Sequence, residues 1–264
     1  MSVLLIIFLS CLALGSVVGF LAGLLGIGGG LLIVPSLMYL LPLIGVNADV
    51  VMPMALGTSL GAIVITSISA AIAHHGKQNI PWLIARPLML MVGFGALLGA
   101  FIADQLSKEA LTFFFATVVI LLAIYMLLSI SVAKERDMPS TPVLQFISWI
   151  TGIVASLMGI AGGAILVPLL TYFSMSIRLA IGTATVCGLV VAIFGSVGFI
   201  ITGLDQTQLP NWSLGYIYLP ALLGIVATSS LAAPYGVKLA GKMPVRYLQR
   251  LFAIFLLIIA VKML

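Results

Sequence analysis

The residues with a capacity for chemistry sit in two glycine-rich strings. Residues 19–39 read GFLAGLLGIGGGLLIVPSLMY and residues 152–172 read GIVASLMGIAGGAILVPLLTY; at an offset of 133, eleven of the 21 positions are identical. The identities include Gly26/Gly159, Gly29/Gly162, Gly30/Gly163, Pro35/Pro168 and Tyr39/Tyr172, whereas Gly28 is replaced by Ala161. Each glycine costs a helix about 1 kcal/mol relative to alanine, so both strings should interrupt helix inside apolar sequence. A half-helix that restarts after such a break presents unpaired N–H groups and a partial positive charge, an arrangement that binds anions. The backbone at Gly26, Gly28, Gly29, Gly30, Gly159, Gly162 and Gly163 is therefore a candidate anion site. Small residues also let helices pack closely. The duplication, with a proline five residues after the last glycine, favours the site. A nucleotide fingerprint is excluded by spacing, because G-x-G-x-x-G would need glycine at Leu31 and no P-loop lysine follows.

Hydroxyls accompany the glycines. Ala55-Leu56-Gly57-Thr58 matches Ala180-Ile181-Gly182-Thr183 at offset 125, which makes Thr58, Ser59, Thr183 and Thr185 candidate donors to an anion. The alternative for each is back-bonding to a helix carbonyl. His74, His75 and Lys77 end an apolar stretch next to Trp82, and Arg86 precedes Pro87. They read as interfacial anchors, with a cationic vestibule or proton relay as the sharper reading. Asp104 lies four residues before Lys108, the spacing of a surface helix pair, and no carboxylate lies deep in a span to serve as an ion relay. Cys11 and Cys187 stand alone in apolar sequence and read as packing residues. Neither a metal site nor a cofactor is expected, and only His74/His75 come near an acid/base pair.

The elements that must position these groups are membrane helices. Charged residues make up 6% and hydrophobic residues 63% of the 264, against roughly 25% charged in an average soluble domain. Windows of about 20 apolar residues, enough to cross roughly 30 Å of hydrocarbon, can be cut along almost the whole length. The lipid bilayer is therefore the chain's first partner. The net charge of +5 is scattered singly between apolar spans, with no basic tract to hold nucleic acid. Residues 1–20 lack a basic leader region and run straight into the first glycine string, so they read as retained structure.

The polar run 134–142 divides the chain into a first membrane repeat, 1–133, and a second, 143–264. Each holds four apolar segments: 3–45, 51–73, 86–106 and 110–132, then 143–175, 179–202, 214–236 and 246–264. The first segment of each repeat exceeds one span and carries the glycine string, which predicts a re-entrant or discontinuous helix. Charge gives an independent test. If all eight segments cross, the cations divide six against five. If each broken segment returns to its own side, Lys77, Arg86, Lys134, Arg136, Arg178, Lys238, Lys242, Arg246 and Arg250 share one face, and Lys108 and Lys262 the other. The sequence thus predicts an all-α integral membrane protein of two inverted repeats with the linker inside.

The doubled string ending in Val-Pro, the Gly-Thr that follows in each half and the two sets of four segments resemble the sulfite exporter TauE/SafE family, also called the 4-toluene sulfonate uptake permease family. GLLGIGGGLLIVP at Gly23 to Pro35, echoed by SLMGIAGGAILVP at Ser156 to Pro168, is the most specific part. The resemblance implies a multi-pass carrier in the cell inner membrane that moves sulfite, sulfonates or sulfoacetate. The leading expectation is a secondary transporter with the small anion bound at the midplane between two glycine elbows. An anion channel using the same half-helix dipoles is the alternative, and a membrane-embedded enzyme is the weaker rival. No residue singled out encodes the cargo's identity, the direction of movement, a coupling ion or an oligomeric state.

Overall fold

The computed structural model describes residues 3–25, 29–128, 137–240 and 245–263. The helices in chain order are α1 Val3–Leu25, α2 Gly30–Leu40, α3 Ala48–Gly76, α4 Trp82–Gln105, α5 Lys108–Leu128, α6 Thr141–Leu157, α7 Gly163–Tyr172, α8 Ile177–Gly203, α9 Leu219–Ala240 and α10 Val245–Met263. A two-stranded antiparallel hairpin, β1 Ser213–Leu214 and β2 Ile217–Tyr218, joins α8 to α9. Among the described residues, α3, α4, α5, α8 and the Leu219–Gly236 part of α9 are long and apolar enough to cross a membrane. The chain is an all-α membrane protein apart from that hairpin.

Local sequence sets the helix boundaries. The Asn47 side chain accepts the Asp49 N–H at 3.2 Å and caps α3, with Asp49 itself in the first turn. Both over-long apolar segments are split. α2 restarts at Gly30 after Gly29; Gly26 and Gly28 lie outside the described residues. In the second half α6 closes with a Schellman turn, in which Ile160 N–H reaches the Ala155 carbonyl and Gly159 N–H the Ser156 carbonyl, both at 3.0 Å. That turn requires the left-handed φ of +61° that Gly159 adopts.

Two expectations need correction. The segment 214–236 does not begin as helix: Pro210-Asn211 and Gly215 at φ +53° turn the chain into the hairpin, and α9 starts only at Leu219. Asp104 and Lys108 do not share a helix face, because Leu106 is extended (φ −93°, ψ 142°) and ends α4 between them. Asp104 instead accepts the Tyr216 hydroxyl at 2.8 Å.

Close helix contacts fix the directions. α3 runs antiparallel to α8, with Gly57 against Phe199, Leu60 against Gly195 and the Asn79 carbonyl against Gly182. α4 runs parallel to α8, Gly93 meeting Val190 and Ala100 meeting Gly198. α1 lies parallel along α9, Cys11 on Gly224 and Gly19 on Ser229, and α6 lies in the same way along α4, Trp149 on Gly95 and Ile153 on Gly99. α9 runs parallel to α3 and starts level with Thr58 rather than Ala48, since Tyr218 N–H donates to Thr58 Oγ1 and Leu222 covers Gly61. Lys77, Arg86, Arg178 and Lys238 therefore share one end of the bundle, and Asp49, Asp104, Lys108, Glu109 and Asp205 the other. The first is the Lys77 end and the second the Asp49 end of the bundle.

Candidate functional site

The two helix breaks touch each other. Gly30, first residue of α2, packs directly on the Gly159 carbonyl of the second break, with Ile160 beside it. Gly159 is wedged in turn between Val34 of α2 and Leu56 of α3, so a side chain at either glycine would force backbone apart. Ser59 locks the junction: its Oγ donates to the Gly159 carbonyl at 2.7 Å, fully buried. A hydrogen bond of that kind holds the unwound carbonyl without water, which the surrounding apolar packing excludes.

A cavity of about 650 Å³ opens beside this junction, inside the range of roughly 300–1,000 Å³ usual for small-molecule sites. Gly29 forms its wall from the first break, and Ala161 and Gly163 from the second. Neither α2 nor α7 has a side-chain cap at its N-terminus. Among the described residues the amides of Gly163 and Ala164 have no acceptor, so α7 presents free donors and its positive dipole end at the cavity wall. The wall continues toward the Lys77 end along Thr66, Ser67, Ser69 and His74 of α3, Thr185 of α8, and Ser229 and Ser230 of α9. No Asp, Glu, Lys or Arg is among its lining residues. An uncharged, hydroxyl-bearing chamber with amide donors at its head suits a desolvated anion held by hydrogen bonds.

The candidates from the sequence divide by position. Gly29, Gly163, Thr185 and His74 meet in the cavity wall. Gly30, Gly159, Gly162 and Ser59 form the buried junction behind it, with Gly162 at φ +69° as the N-cap of α7. Thr185 Oγ1 donates to the Ile181 carbonyl at 2.8 Å, the back-bonded state, so its proton is already used. Thr58 and Thr183 are fully buried and outside the wall. Thr58 accepts the Tyr218 N–H at 2.9 Å, whereas Thr183 Oγ1 has no partner among the described residues. The reason lies in the opposing connectors: the Tyr216 carbonyl packs on Gly57 and the Asn79 carbonyl on Gly182, so the position matching Tyr218 is Pro81, which has no N–H.

His75, Lys77 and Arg86 are exposed at the Lys77 end and lie outside the cavity wall, His75 resting edge-on against Trp82 with ring centroids 5.6 Å apart. His74 Nδ1 faces Asn79 Nδ2 at 3.5 Å. The serine and threonine lining of α3 and α9 was not anticipated. Its signals are present in the sequence, as Thr66 and Ser69 recur at i, i+3 on one helix face and Ser229-Ser230 stand in an apolar stretch. Among the described residues no group of His, Cys, Asp or Glu is arranged to hold a metal.

The model of the sulfite exporter TauE/SafE family matches residues 11–263. A protein of Haemophilus influenzae named "Probable membrane transporter protein" is 42% identical over 256 residues, covering 97% of each chain. The probable membrane transporter protein YunE of Bacillus subtilis is 26% identical over 219 residues, 74% of this chain and 79% of its own. One from Methanocaldococcus jannaschii is 26% identical over 238 residues, 89% and 87%. No solved structure matches. Breaks that meet beside a chamber of apolar and hydroxyl side chains, in a helical bundle built for the bilayer, agree with transport, and the chain belongs to the sulfite exporter TauE/SafE family of membrane transporters.

Proposed function

We propose that the chain is a secondary transporter for a small sulfur-containing anion of the sulfite, sulfonate or sulfoacetate type, working by alternating access in the cell inner membrane. The observation that carries this reading is that two uncapped half-helices, α2 and α7, start from breaks that touch each other and that both contribute wall, Gly29 and Gly163, to one chamber without fixed charge. The anion accepts from the amides of Gly163 and Ala164 and from wall hydroxyls not back-bonded to their helix, Ser67, Ser69 and Ser230, with Gly29 and the start of α2 on the opposite side. His74 at the far end of the wall is the vestibule residue.

The inverted-repeat arrangement, with repeats 1–133 and 143–264, draws support from the helix directions. α1 begins at the Asp49 end, where α9 begins, and α2 ends eight residues before α3 starts at that same end. α6 begins at the Lys77 end, where α4 begins, and α7 ends five residues before α8 starts there. Each pair thus reads as a hairpin entering from its own side, and the cation-rich Lys77 end reads as cytoplasmic.

A carrier and a channel separate in one assay. In proteoliposomes, labelled sulfite flux should saturate, accelerate with sulfite or sulfonate on the opposite side, and resist competition by simple carboxylates. Ion conductance in planar bilayers, or flux without saturation, would overturn the carrier reading.

A further inference from the structure

The strongest unassigned feature is the hairpin 213–218, which plugs the Asp49 end of the bundle. It is seated deep for a connector: Tyr216 and Tyr218 are each only 3% exposed. Along α3 the residues facing it, Gly57 to Gly61, immediately precede Ala62 and Ile63, the first cavity-wall residues. Tyr218 N–H donates to Thr58, and the Tyr216 hydroxyl donates to Asp104 at the end of α4. A third tie lies just outside, where Asn47 Nδ2 donates to Gln208 Oε1 at 2.7 Å. These three ties join the α8–α9 connector to α3 or α4, across the midpoint of the chain, while Tyr216 N–H donates to the Phe199 carbonyl of α8 at 3.1 Å.

The matching connector at the Lys77 end is held differently. Its Asn79 carbonyl packs on Gly182, but Pro81 offers no N–H to Thr183, whose buried hydroxyl has no partner among the described residues. The cavity wall runs out on that side to His74 and Pro234. The two ends of the chamber are thus latched unequally, by hydrogen bonds at one and by packing at the other.

We propose that the 213–218 hairpin is the gate at the Asp49 end, latched by the Tyr216–Asp104 hydrogen bond, and that cargo passes that end only when the latch opens. This rests on the transporter reading for its purpose, though not for its test. A hydrogen bond to a charged acceptor shifts an open–closed equilibrium by about tenfold or more, so removing it should unmask the chamber without disturbing the helices. Asp104 is the only carboxylate bonded to the hairpin among the described residues.

The test uses a cysteine reporter in the full-length chain in oriented vesicles, labelled with a membrane-impermeant maleimide from each side. Ser67→Cys is the reporter, since Ser67 lines the cavity and is partly exposed; the native Cys11 and Cys187 are buried. With the latch intact, Ser67→Cys should label from the Lys77 side and at least tenfold more slowly from the Asp49 side. Tyr216→Phe, which keeps the ring, and Asp104→Asn should each raise the Asp49-side rate about tenfold or more. Pairing Asn47→Cys with Gln208→Cys, then oxidising, should restore shielding in either variant. Unchanged Asp49-side labelling in both variants, each still monodisperse, would overturn the gate, as would equal labelling from both sides of the parent. Failure of the transporter reading would show separately, as absent sulfite flux with this labelling pattern intact.

Discussion

Gly30 and Gly163 occupy matching positions in the duplicated string, yet alanine at the two should have opposite consequences. A methyl on Gly30 would fall on the Gly159 carbonyl oxygen, with the Ile160 Cα at 3.0 Å and its Cγ2 at 3.1 Å. Carbon pairs prefer about 3.5–4.0 Å, so the two breaks must separate by at least roughly 0.5 Å, and backbone on one side cannot rotate away. Overpacking of this kind costs about 1–3 kcal/mol, against a gain of about 0.4–1 kcal/mol from reduced freedom of the unfolded chain. A methyl on Gly163 meets nothing within 4 Å, so only the gain applies and the fold should be as stable or slightly more so. The two variants should differ by about 1–3 kcal/mol, which for a chain of this size is roughly 2–12 °C in melting midpoint, Gly30→Ala the lower. Thermal melts of detergent-purified protein read this directly. Gly163→Ala should nonetheless bind sulfite or sulfonate more weakly, because its methyl enters the chamber beside the free amides. Equal melting of both variants, or a Gly163→Ala as unstable as Gly30→Ala, would refute the claim that the breaks meet asymmetrically.

Thr58→Val should destabilise by about 1–3 kcal/mol because it leaves the buried Tyr218 N–H without an acceptor; Thr183→Val, which removes a hydroxyl with no partner among the described residues, should be neutral or stabilising, and paired thermal melts compare them. Ser59→Ala should cost about 1–3 kcal/mol by orphaning the Gly159 carbonyl and should depress sulfite flux further than the loss of folded protein explains. Burial first, then the hydrogen bond to Asp104 and its negative charge, hold the Tyr216 phenol well above its ordinary value. Because the folded value is the higher one, this tie stabilises fully below about pH 10 and is lost only as pH rises through the raised value. Ultraviolet titration of the parent against Tyr216→Phe should show one phenol ionising after the others, and its appearance among the ordinary tyrosines would contradict the latch geometry.

The architecture was legible because it rests on strong, repeated signals. Apolar windows of span length and the glycine strings each survive averaging along the chain, and the windows locate the helices to within a few residues at Ala48–Gly76, Trp82–Gln105 and Ile177–Gly203. The Gly-Thr pairs were legible as matching positions but not in what they do. Gly57 and Gly182 each receive a carbonyl from the connector of the other half, and the difference between Thr58 and Thr183 turns on Tyr218 against Pro81, 160 and 102 residues away in sequence. The hairpin escaped notice because Ile217-Tyr218 is apolar and merges with the following helix in any hydropathy window. Asp104 was paired with Lys108 by spacing, while its partner Tyr216 comes from the opposite half. Contacts between halves carry no local pattern, and the polar side of the cavity is made of them.

The central claim is that the starts of α2 and α7 jointly hold an anion. An electron-density or cryo-EM map of the chain with a bromine-tagged aryl sulfonate tests it most directly, through the bromine signal and the sulfonate density. The account predicts sulfonate oxygens at the amides of Gly163 and Ala164, across from Gly29, with the ring in the chamber toward Thr66 and Ser229. An empty chamber, with the sulfonate instead among Lys77, Arg86 and Arg178 at the surface, would contradict it.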